Sequence, residues 1–218
     1  PSISAVGAYL KSRGGAYSYH MLGYALASVA WNGATAWIPS FFIRGFGWTP
    51  AEVGLAFGTV LLVFGTSGII CGGLIASHMR AKGRTDANLL IGVISAIAAA
   101  IAGVSASMMP TGEAALAAFA VFAFSGAMPY GGAAAALQEI TPNQMRGQVS
   151  ALYLFVLNLA GIGFGPTAVA WLTENVFRDP AQLGHSLAIV IGVDMPLSAL
   201  VLLRGCKSYR DAIARNEF

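Results

Sequence analysis

Six long apolar stretches run through this 218-residue chain: Tyr17–Ile43, Val53–Ser77, Leu89–Met109, Ala115–Leu137, Val149–Thr173 and His185–Leu203. Only the last contains a formally charged residue, Asp194. A helix crosses the hydrocarbon core with about 20 mostly apolar residues, and each stretch reaches or nearly reaches that length. Strands of a membrane barrel show alternation over about 10 residues instead. The runs here are continuous, so the backbone must satisfy its own hydrogen bonds as helix. The expectation is an all-α, multi-pass integral membrane protein with six transmembrane helices.

Little chain remains for anything else. Charged residues make up 10% of the sequence, against about 25% in a soluble domain, which leaves no room for a soluble catalytic domain. The organisation reads as a linker over 1–16 with a Gly14–Gly15 hinge, a six-helix membrane domain over 17–204, and a tail over 205–218 that is an interfacial helix or disordered. With an even number of spans, both ends share one side of the membrane. That side holds Lys11, Arg13, Arg80, Lys82, Arg84, Arg146, Arg204, Lys207, Arg210 and Arg215, and the other side only Arg44 and Arg178. The positive-inside rule places both ends in the cytoplasm. The basic residues follow topology and form no patch interleaved with aromatics, so no nucleic-acid partner is expected. Cys71 and Cys206 are badly placed for a disulfide. Nothing in the sequence calls for a metal or cofactor. The chain begins at Pro1 without a secretory signal, and reads as the C-terminal portion of a longer product.

An internal repeat is visible. Thr49–Pro50–Ala51–Glu52 precedes span two and Thr141–Pro142–Asn143–Gln144 precedes span five. Each fits a capping box with proline at the first helical position. The same device three spans apart, on opposite faces, is the pattern of an inverted three-plus-three repeat, a mark of secondary transporters. Glycines four apart at Gly54–Gly58, Gly68–Gly72 and Gly161–Gly165 permit close helix approach, either as static packing or as faces that slide. Pro39, Pro129, Pro166 and Pro196 lie within spans, where each can kink its helix. In spans one and four proline stands beside Trp37 and Tyr130. These two spans are equivalents in the repeat, so Asn32, Trp37, Pro39, Tyr130 and Asn158 are the candidates for a cavity wall. For any one of them, packing against lipid or a neighbouring helix is the competing reading.

Asp194 is costly in lipid, by about 2.5–3.5 kcal/mol on insertion scales. It is read either as a proton- or cation-coupling residue or as a protonated, hydrogen-bonded structural one. His20 and His185 sit at span ends, where solvated interfacial roles are expected. Glu139 and Arg146 flank the polar loop Gln138–Gln148. With Arg80 and Arg84 they are candidates for a gate-closing charge network, or simply a solvated loop obeying topology.

The run Glu139-Ile-Thr-Pro-Asn-Gln-Met-Arg-Gly-Gln-Val-Ser-Ala-Leu-Tyr-Leu-Phe155, continuing to Gly163-Phe-Gly-Pro-Thr167, resembles the second half of major facilitator superfamily transporters, nearest their spinster-like bacterial branch. Trp37-Ile-Pro-Ser-Phe-Phe-Ile-Arg44 resembles the start of that half. The superfamily's loop motif Gly-x-x-x-Asp-Arg-x-Gly-Arg-Arg is only partly kept. Gly73, Arg80, Lys82, Gly83 and Arg84 stand, but Ser77 and His78 replace its Asp-Arg pair. The resemblance implies half of a twelve-helix fold working by alternating access in a bacterial inner membrane. Its partners would be a small organic or amphipathic solute, membrane lipid and an N-terminal six-helix half. Two other readings compete. Gly65-Thr-Ser67-Gly68 matches the GxSG pattern of rhomboid-like intramembrane serine proteases, with His185 as the candidate base. A stand-alone six-helix protein that dimerises is the third.

Overall fold

The computed structural model describes residues 2–215. All regular structure among them is helical. A short helix α1 (Ile3–Ser12) leads into α2 (Gly14–Phe46). Five further helices follow: α3 (Pro50–Ala81), α4 (Ala87–Ser107), α5 (Gly112–Glu139), α6 (Asn143–Phe177) and α7 (Pro180–Ala214). These five are long and apolar enough to cross a membrane. Helix α2, at 33 residues, has the length but carries His20, Ser28, Asn32 and Thr35 among its tryptophans and tyrosines, and falls short in apolar composition. It is the expected first span.

The helices pack in the spatial order α3, α5, α4, α7, α2, α6. Helices α4 and α7 lie side by side at the centre of this row, and α3 and α6 end it. The ends are the least covered: 22% of the apolar stretch of α3 and of α6 is buried, against 61% of α4. The buried core is built from small residues and rings. Ala30, Ala34, Ala99, Ala106 and Ala136 let backbones approach, while Phe42, Phe119 and Phe122 fill the space between α2 and α5.

Two of the three glycine pairs are points of closest approach. A Cβ on Gly68 would stand 2.2 Å from the Phe124 carbonyl oxygen, and one on Gly72 2.1 Å from that of Met128, so α3 presses on the backbone of α5. Helix α6 meets α2 the same way. A Cβ on Gly161 would stand 2.1 Å from Ser28 Oγ, and one on Gly165 2.5 Å from the Val29 carbonyl oxygen. Gly54 and Gly58 face open space and take no part in packing.

The prolines act unequally. Pro39 and Pro196 stay inside continuous helices. Pro129 interrupts α5, which breaks at Met128–Pro129 between Gly112–Ala127 and Tyr130–Glu139. Wide π turns interrupt α3 at Leu61–Gly65 and α6 at Leu159–Phe164, the latter just before Pro166.

Several expectations are corrected. Residues expected as linker form α1, and the break falls at Arg13 rather than at Gly14–Gly15. The tail continues α7 as far as Ala214 with Cys206, Tyr209 and Ala212 buried, so it is a packed helix; residues 216–218 lie outside the described residues. The Thr49 capping box forms: its backbone N–H donates to Glu52 Oε2 at 2.7 Å, and Glu52 N–H donates to Thr49 Oγ1 at 3.3 Å. Its counterpart does not. Thr141 Oγ1 donates instead to the Leu137 carbonyl at 2.6 Å and pairs with the Tyr17 hydroxyl at 2.8 Å, and α6 starts with a 3-10 turn at Asn143–Met145. Replacing Thr49 with alanine is therefore expected to cost about 1 kcal/mol in a thermal melt, and Thr141 to alanine to act through the loss of its Tyr17 contact instead.

Candidate functional site

A cavity of about 170 Å³ opens among α2, α4, α5, α6 and α7. Four rings give it its character: Tyr24 and Trp31 from α2, Tyr130 from α5 and Tyr153 from α6. They stand there because the break at Pro129 turns Tyr130 toward α2, where its ring meets Trp31 edge-on at 6.2 Å, and because Gly126 leaves room for the Trp31 indole beside α5. Three of the polar side chains on the wall are already engaged. Ser28 Oγ donates to the Leu157 carbonyl at 3.0 Å, Ser95 Oγ to that of Ser125 at 2.6 Å, and the Tyr24 hydroxyl to that of Asn88 at 3.2 Å. The surface offered to a ligand is thus mostly apolar and aromatic, with the Tyr130 and Tyr153 hydroxyls and the Trp31 indole N–H as its open polar points.

The candidate wall residues do not converge here. Tyr130 lines the cavity. Asn32 turns back to the Ser28 carbonyl at 2.9 Å and packs on Gly161. Trp37 Nε1 donates to the Pro166 carbonyl at 2.9 Å, and its ring borders a second cavity with Arg44, Glu174 and Arg178 at the far end of the bundle. Pro39 is half-buried within α2. Asn158 is exposed on α6, bonded to the Leu154 carbonyl at 2.8 Å. Sequence reasoning missed Tyr24, Trp31 and Tyr153. The ring spacing Tyr24–Trp31 along one helix was the available signal.

At the basic end the gate candidates are tied within the chain. Arg80 pairs with Glu139, which also accepts from the Tyr209 hydroxyl at 2.7 Å. Arg84 Nε donates to Asp86 at 3.1 Å, and Asp86, wholly buried, also pairs with Arg210. Arg146 Nε donates to the carbonyls of Gln138 and Thr141 at 3.0 and 3.1 Å, closing the loop between α5 and α6. Asp194 sits half-buried on α7 between the exposed Val193 and Leu197, off the cavity, and among the described residues it makes no hydrogen bond or ion pair.

The Major Facilitator Superfamily profile matches residues 3–166. The chain belongs to that superfamily. It is an integral, multi-pass membrane protein of a family of transporters, not enzymes. Its fold is similar to that of a bacterial homologue of the human lysosomal transporter Spinster. In the inward-facing, unoccupied form of that protein the TM-score is 0.61 at 16% identity, covering 91% of this chain and 47% of that one. In its inward-facing, occupied form the TM-score is 0.60 at 16% identity, covering 92% and 49%. The chain spans about half the length of these structures. No curated protein matches it.

Two points of this facilitator chain now read differently. The protease reading has no support: Ser67 Oγ donates back to the Phe64 carbonyl at 3.1 Å, while His185 packs on Phe177 at the start of α7. Ser77 and His78, which replace the superfamily's Asp-Arg pair, lie in the last turns of α3, and the buried acid near this loop is Asp86, just before α4. Gly83, at φ 84°, turns the chain so that its N–H closes on the Arg80 carbonyl at 2.8 Å. This left-handed conformation comes readily only to glycine.

Proposed function

We propose that this chain is the C-terminal half of a secondary active transporter for small organic or amphipathic solutes, working by alternating access in a bacterial inner membrane. The observation that carries this is the aromatic, apolar cavity in a chain of this superfamily. Its wall is mostly apolar and aromatic, with only the Tyr130 and Tyr153 hydroxyls and the Trp31 indole N–H left to meet a polar group, which favours an amphipathic solute over a sugar or an amino acid. Both ends are cytoplasmic in this reading, since the basic side chains gather at one end of the bundle.

An inverted three-plus-three repeat is supported by packing. Exchanging α2, α3 and α4 with α5, α6 and α7 carries the α3–α5 contact onto α6–α2, and the α4–α5 contact onto α7–α2. The tight glycine pairs obey the same exchange: Gly68 and Gly72 press on α5, as Gly161 and Gly165 press on α2. The thinly covered faces of α3 and α6, with Leu62, Leu74, Phe155 and Ile162 exposed, supply the surface for a further six-helix half. Asp194 is the carboxylate candidate for cation coupling.

The test is uptake by the full-length chain in proteoliposomes, using a fluorescent single-chain phospholipid against glucose and aspartate. Saturable uptake of the amphipath alone is expected. Trp31→Ala should weaken it about tenfold, equivalent to roughly 1.4 kcal/mol of ring contact, with Trp31→Phe recovering most of it. Uptake of the polar solutes, or no effect of Trp31→Ala, would overturn the assignment.

A further inference from the structure

His20 is wholly buried, and neither Nδ1 nor Nε2 has a protein hydrogen-bond partner. Buried polar groups are almost always satisfied, because leaving one unpaired costs about 1–3 kcal/mol. An imidazole held this way within α2 calls for a reason. Its surroundings are rings. Tyr24 stands edge-on at 4.8 Å and Tyr153 at 5.5 Å, and these two rings lie 6.4 Å apart. Both line the central cavity, so His20 sits directly behind its wall. The Ala133 backbone on α5 approaches the ring without forming a well-aligned hydrogen bond.

We propose that His20 is a proton-binding site gated by Tyr153. In the conformation described here no carboxylate bonds to the imidazole. The titratable groups that meet it are Tyr24 on its own helix and Tyr153 on α6, with Cys206 and Tyr209 of α7 beyond Tyr24. Tyr24 meets the ring edge-on and Tyr153 at a tilt, Tyr209 is hydrogen-bonded to Glu139, and none of these groups bonds to His20. A proton added to the free ring nitrogen creates a cation that this apolar packing cannot hold. The relief available is to move Tyr153 aside and bring the imidazolium to the cavity. Tyr153 is placed to move: it lies on α6 six residues before the π turn at Leu159–Phe164. Proton uptake and cavity shape are thereby linked through one side chain.

This inference rests on the transport reading, but its test does not measure transport, so either can fail alone. The full-length chain, with Cys71→Ala and Cys206→Ala, carries spin labels at Gly147→Cys at the start of α6 and Ile97→Cys on α4, both exposed positions. Electron–electron distances are measured in nanodiscs at pH 8 and pH 5.5. A second, shifted distance is expected at pH 5.5, accompanied by conversion of the His20 imidazole ¹⁵N signals from the neutral to the charged pattern. His20→Asn, polar but unable to titrate here, should abolish the shift, and His20→Phe should abolish it while raising thermal stability. Asp194→Asn should retain it. The proposal is overturned if the distances are the same at both pH values, if the shift survives in His20→Asn, or if the His20 signals stay neutral while the shift occurs.

Discussion

Replacing Gly72 with valine is expected to lower the melting temperature by roughly 10 °C. The first added carbon would lie 2.1 Å from the Met128 carbonyl oxygen, 2.7 Å from its carbon and 2.8 Å from its Cα. These are backbone atoms and cannot swing away, so α3 must retreat from α5 as a whole. Overpacking of a core commonly costs 1–3 kcal/mol, occasionally more. Here the loss also removes the contact that orders the Met128–Pro129 break, so a cost of about 3 kcal/mol or more is expected, roughly 10 °C in Tm for a chain of this size. Gly73→Val is the control. It adjoins Gly72 but faces open space, and a helical glycine is less favourable than most residues by about 0.5–1 kcal/mol, so this variant should melt at the parent temperature or slightly above. Thermal unfolding of the full-length chain in detergent, followed by fluorescence-detected size exclusion, reads both. The effect should reach the cavity as well. Tyr130 follows the break directly, and a displaced α5 carries its ring away from Trp31.

The repeat predicts the same penalty at Gly165, where the added carbon would meet the Val29 carbonyl oxygen at 2.5 Å and the Gly33 nitrogen at 2.7 Å. If Gly72 and Gly165 variants fail alike while Gly54 and Gly73 variants do not, the two triplets share one packing rule. The sequence alone offered three glycine pairs at the same spacing and no means of separating them. Spacing identifies a helix face, but only the neighbour across that face decides whether its glycines are compressed or idle.

That distinction runs through the whole comparison of sequence and structure. Five of the six expected spans fall on helices long and apolar enough to cross a membrane, most closely Leu89–Met109 against α4 (Ala87–Ser107), because the signal is local and the solvent is apolar. The Thr49 cap was legible for the same reason. His20 was not. Its place near a span end suggested contact with water, yet α1 and the end of α7 cover that end of the bundle. The Tyr9 hydroxyl reaches the Ile140 carbonyl at 2.8 Å and Arg13 the Ala212 carbonyl at 3.0 Å. Trp37 was read as a cavity residue for its neighbour Pro39, whereas its indole is held by α6, 129 positions away. Where the deciding contact is between distant segments, residue type and spacing rank candidates but do not place them.

Asp86 is the sharpest case, and it carries the second large prediction. It lies in a loop that reads as solvated and basic, yet it is wholly buried, bridging Arg84 and Arg210, its partner 124 positions further on. Its carbonyl also accepts from the N–H groups of Leu89 and Leu90 at 3.1 Å each, opening α4. Removing the tail arginine should hurt more than removing the acid. In Arg210→Ala the carboxylate stays buried with only Arg84, whose side chain is 53% exposed, and an inadequately paired buried charge costs about 3–5 kcal/mol. In Asp86→Asn both arginines can turn to water, as exposed ion pairs commonly do at a cost of about 1 kcal/mol or less. The double variant should therefore be more stable than Arg210→Ala alone, a sign reversal that a double-mutant thermal cycle detects. The bridge joins the α3–α4 loop to the end of α7, as Arg80, Glu139 and Tyr209 join the ends of α3, α5 and α7. In the alternating-access cycle proposed above, contacts that close within one chain would make its basic end move as a single body. On that argument Arg210→Ala lowers stability and uptake together, and uptake returns with the melting temperature in the double variant. A bridge acting as the gate itself would leave the double variant stable but still impaired in uptake.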